Sequence, residues 1–120
     1  MWSFPKSCRL LHKVDYKAVF DRSGKVSQKY LLVLFKTNQR VVPRLGLVVG
    51  KKVAPHAVTR NSIKRVIRES FRLKQDRLKG LDVVVIARHQ CNTLSKQELR
   101  KGIDRLWENV IVQYQAALSS

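Results

Sequence analysis

Between positions 51 and 72 the sequence reads Lys51-Lys52-Val53-Ala54-Pro55-His56-Ala57-Val58-Thr59-Arg60-Asn61-Ser62-Ile63-Lys64-Arg65-Val66-Ile67-Arg68-Glu69-Ser70-Phe71-Arg72. Seven cations stand there against one carboxylate, Glu69. Ammonium and guanidinium groups at that density suit phosphate, and the planar arginine fork can also stack on an unpaired base. At the α-helical turn of about 100° per residue, Lys64, Arg68, Asn61, Arg72 and Arg65 all fall within about 140° of Arg60 on one side. Ile63, Val66 and Ile67 fall on the opposite side, with Phe71 at the boundary. An ordinary solvated face mixes Glu with Lys so that neighbours support one another. Here one sign dominates, and an anion-binding face is expected.

A second constellation lies nearer the N-terminus. Tyr16 and Phe20 are four residues apart and share a helical face, with Lys13 and Lys17 as a neighbouring basic row. Rings for stacking beside cations for the backbone are what a single-stranded nucleic-acid groove needs. An aromatic pair at this spacing equally suits a hydrophobic core, and the residues alone leave both readings open.

Bond-breaking chemistry has no visible seat. The carboxylates Asp15, Asp21, Glu69, Asp76, Asp82, Glu98, Asp104 and Glu108 are scattered, with no pair spaced to gather metal ions. His12, His56 and His89 have no partner pattern for general acid-base work, and no phosphate-binding glycine loop occurs. Cys8 and Cys91 are far apart and outside any zinc-ligand spacing, so two reduced, structural thiols are expected.

Charge and length narrow the class. The chain has 120 residues, 25 Lys and Arg against 8 Asp and Glu, a net charge of +17 and 44% hydrophobic residues. That is enough for one modest core, so the chain is not a basic disordered tail. No apolar run is long enough to span a bilayer, and Pro5, Lys6 and Arg9 interrupt any secretory signal, so a cytoplasmic protein is expected. So large an excess repels itself unless a polyanion is the normal neighbour; nucleic acid leads, with an anionic membrane surface second. Residues 51–79 carry ten basic and two acidic side chains, whereas residues 80–120 carry five and four, a comparatively neutral covering segment.

Elements that could position these groups follow from the patterning. A short helix is expected over 14–23, stopped by Gly24. Strands are expected over 29–37 and 44–50, joined by a turn at 38–43 as an antiparallel pair. A helix over about 58–78 and a third strand over 81–87 follow, making a strand-helix-strand crossover if the two strands are parallel neighbours. Ser95 and Glu98 form a capping-box pattern ahead of Leu99, Ile103, Leu106, Trp107, Val110, Ile111 and Tyr114, an apolar stripe expected to cover the sheet. The fold class is α+β, a single domain with a small central sheet and flanking helices in the order α-β-β-α-β-α, a further short strand being possible.

The segment Val49-Gly50-Lys51-Lys52, followed after a spacer by Arg60-Asn61-Ser62-Ile63-Lys64-Arg65-Val66-Ile67-Arg68, resembles the signature of the bacterial ribonuclease P protein component family. Asp15-Tyr16 with Val19-Phe20, the Arg44 to Val49 strand and the Asp82 to Arg88 strand extend the likeness over most of the chain. The resemblance implies a fold like the second domain of ribosomal protein S5, with a left-handed crossover where the general rule expects a right-handed one. It implies a ribonucleoprotein endonuclease subunit that pairs 1:1 with a catalytic RNA and assists removal of the 5′ leader from precursor tRNA. Catalysis would belong to the RNA, with Mg²⁺ held mainly there and none by the protein alone. By the same carry-over, Lys51, Lys52, Arg60, Asn61, Lys64, Arg65, Arg68 and Arg72 would bind RNA. Tyr16 and Phe20, with Lys13 and Lys17, would take the single-stranded leader in a cleft against the sheet. Residues 1–12 are expected to be flexible without RNA.

One departure stands out. Ser62 occupies a position where the family usually has a second arginine, and it falls about 60° beyond the basic arc, outside the binding set. A noncatalytic RNA-binding module such as a ribosomal protein, or a DNA-binding protein using the 58–78 helix, would satisfy the charge equally well.

Overall fold

β-Branched and aliphatic residues dominate three short runs, and each forms a strand. The computed structural model describes Arg9 and residues 24–119, with side chains to residue 116. The helix expected over 14–23, the segment 1–8 and the leader set Lys13, Tyr16, Lys17 and Phe20 lie outside the described residues. The elements are β1 (Gly24–Ser27), β2 (Leu31–Thr37), β3 (Arg44–Val48), α1 (Ala57–Lys74), β4 (Leu81–Ala87) and α2 (Lys96–Ser119). Short 3₁₀ turns at Gln75–Arg77 and Cys91–Thr93 follow α1 and β4.

The strands lie in the order β1-β2-β4-β3. β1 pairs antiparallel with β2, β2 antiparallel with β4, and β3 parallel with β4. The crossover therefore joins parallel neighbours, as expected, but the antiparallel pair expected between 29–37 and 44–50 does not form. β4 lies between them because it is the most apolar strand. Val83, Val84 and Val85 are each 0% exposed, and only a central strand can bury successive residues on both faces. The 38–43 turn spans the start of β4: the Asn38 backbone N–H donates to the Gly80 carbonyl (2.8 Å) and its side-chain amide to Asp82 Oδ1 (2.8 Å).

Gly24, expected as the stop of a helix that lies outside the described residues, opens β1. The ring of Phe35 on β2 lies where a side chain at position 24 would stand, 2.4 Å from an ideal Cβ, so any larger residue there would have to displace that ring.

The register sorts the sheet into two faces. Leu31, Val33 and Phe35, Val83, Val85 and Ala87, and Leu45 point into the main core with Ile63, Ile67 and Phe71 of α1 and Leu99, Ile103, Leu106, Trp107, Val110 and Ile111 of α2. The apolar stripe of α2 thus covers the sheet, and its first turn carries the capping box. Ser95 N–H donates to Glu98 Oε1 (3.0 Å) and Glu98 N–H to Ser95 Oγ (3.1 Å). The other face holds a second, smaller cluster, Leu34 and Val84 with Leu32 and Ile86.

A seam of polar groups joins α1 to α2. The Ser70 hydroxyl donates to Asp104, while Trp107 Nε1–H donates to Ser70 Oγ (2.9 Å) and its ring meets Phe71 edge-on at 6.0 Å. Further along, Lys74 Nζ donates to Glu108 (2.8 Å). Ser70 with Asp104 and Lys74 with Glu108 keep the same 34-residue offset, so the two helices run side by side in one direction.

On the second face, Arg44 grips Asp82 with two bonds, Nε to Oδ1 (2.8 Å) and the terminal nitrogen to Oδ2 (2.6 Å), pinning β3 to β4. Both side chains are largely buried, so removing one partner strands the other's charge. Asp82→Ala is expected to cost about 3 kcal/mol in urea unfolding. A loss below about 1 kcal/mol would show that water compensates Arg44 fully.

Candidate nucleic-acid interface

Packing sets the rotation of α1 about its own axis. Ile63, Ile67, Ser70 and Phe71 are its buried residues, which places boundary residue Phe71 in the core. Burying each of the three apolar side chains contributes about 1.5–3 kcal/mol, and the opposite arc is thereby held to the outside. Asn61 and Arg65 are exposed there, and Lys64, Arg68 and Arg72 are half-buried at its margins. The helix face deduced from spacing is thus one continuous surface.

Its members differ in what they are free to do. Arg60 donates from one terminal nitrogen to the carbonyls of Ala54 (2.9 Å) and Pro55 (2.8 Å), so its guanidinium holds the loop between β3 and α1. That loop is turned by Gly50, whose carbonyl accepts from Val53 N–H (3.1 Å) and Ala54 N–H (3.0 Å), and it carries exposed Lys51 and Lys52. Arg72 is paired with Glu69 at 3.0 Å. Burial, then the nearby charges of Arg9 and Arg65, lower the pKa of Arg68 from the usual arginine value. A group whose charge is opposed by desolvation and by like charges gains from an anion that relieves both.

Arg9 is an addition that spacing did not reveal. It forms a parallel bridge with Leu45 at the outer edge of β3, which brings its charge to bear on Arg68. A lone arginine far upstream carries no local signal of such a neighbour; only the pairing of backbone segments reveals it.

The N-terminus of α1 strengthens the same surface. His56 stands at the cap without a side-chain hydrogen bond, and the first turn contains no acidic residue. The positive end of the helix dipole is therefore unneutralised beside Lys51 and Lys52.

The second sheet face is partly accessible. Leu34, Val84 and Gly46 are buried on it and Leu32 and Ile86 half-buried, while the register places Lys25, Lys36, Arg44 and Val48 alongside. Apolar patches flanked by lysines suit stacked bases with a phosphate backbone alongside.

Nucleophiles and metal ligands are not gathered among the described residues, where no three His, Cys, Asp or Glu side chains could hold an ion together. Cys91 is buried, which pushes its thiol up to about 11 and keeps it protonated. No helix among the described residues is long and apolar enough to cross a membrane. The arrangement can hold an extended anion.

Comparison with known proteins points the same way. Residues 4–111 match the family model described as Ribonuclease P. A ribonuclease P protein component from Ectopseudomonas mendocina is 50% identical over 108 residues, covering 89% of this chain and 81% of the relative. One from Saccharophagus degradans is 46% identical over 111 residues, covering 92% and 82%. The RNase P protein of Staphylococcus aureus superposes with a TM-score of 0.82 at 26% identity, covering 88% of this chain and 96% of that one. That of Thermotoga maritima, solved in complex with 1-(4-fluorophenyl)-2-thiourea, gives 0.71 at 32% identity, covering 78% and 91%. The matched span contains both the basic helix and the sheet that fixes its direction, and the chain belongs to the ribonuclease P protein family.

Proposed function

We propose that this chain is the protein subunit of a cytoplasmic ribonuclease P, pairing 1:1 with a catalytic RNA that removes the 5′ leader of precursor tRNA. The single-signed outer face of α1 carries this reading. Lys64, Arg65 and Arg68, with Asn61, are turned outward together by the burial of Ile63, Ile67 and Phe71, and Lys51 and Lys52 extend the row beyond the uncapped helix start. Arg60 contributes at one remove by holding the loop that bears those lysines. Arg72 joins the face with its charge shared by Glu69.

The leader would lie along the second sheet face, where half-buried Leu32 and Ile86 supply apolar surface over buried Leu34 and Val84, and Lys25 and Lys36 supply charge. Tyr16 and Phe20 would stack on its bases, and Lys13 and Lys17 would meet its phosphates.

The described residues give Mg²⁺ no fitting set of oxygen donors: Asp82 is engaged by Arg44 and Asn38, and Asp104 by Ser70 and Arg100. In this reading the ion is held mainly by the RNA. The protein's part is to offset phosphate repulsion as the RNA and its substrate come together, which lowers the ion concentration that folding and docking require.

Reconstitution decides the matter. The purified protein is expected not to cleave precursor tRNA alone, but to lower the Mg²⁺ needed by its cognate RNA. Absence of stimulation would leave a noncatalytic RNA-binding module, and cleavage by RNA-free protein would place the chemistry in this chain.

Arg65→Ala should weaken assembly with the RNA and flatten the salt dependence by about one unit. An unaltered slope would mean that Arg65 meets no phosphate. Phe20→Ala should weaken binding of leader-bearing precursor more than that of mature tRNA; equal losses would make Phe20 a core residue.

A further inference from the structure

The end of the molecule where α1 and α2 both begin holds a second concentration of charge, hidden in the sequence by the near-neutral balance of residues 80–120. N-terminal to the Ser70–Asp104 contact the two helices part, leaving an open cleft of about 550 Å³ whose lining includes Ser62, Arg65 and Glu69 of α1 and Lys96, Arg100 and Lys101 of α2. The carboxylates nearby are already engaged, Glu69 by Arg72 (3.0 Å), Asp104 by Arg100 (3.1 Å) and Glu98 by the backbone N–H of Ser95 (3.0 Å). Arg65, Lys96 and Lys101 are exposed and make no hydrogen bond or ion pair among the described residues. On the side of α2 that faces α1 the two signs are separated along the axis: Lys96, Arg100 and Lys101 stand near its start beside the cleft, and Asp104 and Glu108 stand further on in the seam.

Backbone adds to the side chains here. α1 and α2 run in the same direction, so both helix starts lie at this end of the molecule, that of α1 with no acidic residue in its first turn and that of α2 capped by Glu98. Lys96 moreover stands in the first turn of α2, where a cation is disfavoured by the dipole and by the peptide N–H groups. Ser62, the residue that departs from the family pattern, lies in the cleft wall, and its short side chain leaves the space open.

We propose that this cleft seats a backbone segment of the RNA subunit, so that the N-terminal turns of α2 form a second phosphate-binding row beside α1. This rests on the ribonuclease P reading above. Arg65 belongs to both surfaces, which makes the cleft continuous with the basic face of α1. The cleft is open, so a lone small anion placed there would remain largely hydrated and gain little. A polyanion crossing it releases counterions at each cation, and the gain accumulates. The apolar side chain of Val66 on the floor offers nothing to phosphate and fits a ribose or base edge.

The test uses the full-length protein and its cognate RNA subunit, with affinity measured across a salt series. Lys96→Ala with Lys101→Ala should weaken binding and make the logarithmic salt slope shallower by about 1.5 units, at roughly 0.7–0.9 per lost contact. Lys96→Arg with Lys101→Arg should restore the slope. Arg40→Ala with Lys79→Ala, which removes the same charge at the opposite end of the sheet beside Gly80, should leave it unchanged. All variants should melt at the parental temperature, since the four side chains are exposed. A slope unchanged in the cleft variant, or lowered equally by the remote pair, would overturn the proposal. So would a loss confined to precursor tRNA binding by the assembled enzyme. Stimulation of cleavage by the parental protein is read separately, so a failure of the ribonuclease P reading is not confused with a failure of the cleft.

Discussion

The molecule depends on one constraint: α1 has a single stripe that can be buried. Ile63, Ile67 and Phe71, with Ser70 between them, leave no second orientation in which the helix could satisfy the core. Rotating it by a third of a turn would carry Arg60 or Arg68 into apolar surroundings at a cost well beyond what the stripe contributes. The packing that stabilises the domain is therefore also what aims its cations. Like charges on the outer face oppose one another, and the core holds them together until an anion arrives.

The remaining elements serve that orientation. β4 takes the centre of the sheet because it is apolar on both faces, and it receives β3 as a parallel neighbour, so the chain entering α1 and the chain leaving it are anchored side by side. The Ser70, Asp104 and Trp107 contacts fix α1 against α2 from within, and Glu108 accepts from both Lys74 and Arg77 (2.8 Å each) at the far end. These ion pairs at Glu108 are solvent-exposed and weak individually, and the buried Trp107 does more to hold the seam. The same arrangement puts both helix starts at one end, where positive potential accumulates.

Local patterning was enough to read much of this. The strand at 81–87, the start of α2 at its capping box and the division of α1 into two faces are all properties of short stretches of chain, and each is found where the spacing puts it. Strand partnership is not such a property. The segments 29–37 and 44–50 look like a hairpin until the stronger claim of β4 to the central position is known. The helical wheel likewise assigns each side chain a direction but not a partner, so Arg60 looked like a free cation although its guanidinium is bound to two carbonyls. Charge counted along the chain concealed Lys96 and Lys101, because the side of α2 facing α1 carries its cations near the start and its carboxylates further on, while a sum merges them. Arg9 reached the basic surface through a bridge to a strand 36 positions away, which no local pattern announces.

The central account is that the positive charge forms a directed contact surface for one large RNA, rather than a diffuse attraction over the whole protein. Amine labelling of the protein, free and bound to its cognate RNA, followed by mass spectrometry, tests this lysine by lysine. Strong protection of Lys51, Lys52 and Lys64 with unaltered labelling of Lys79, which is exposed past the far end of α1, is the expected result. Uniform protection of all four, or protection centred on Lys79, would contradict it.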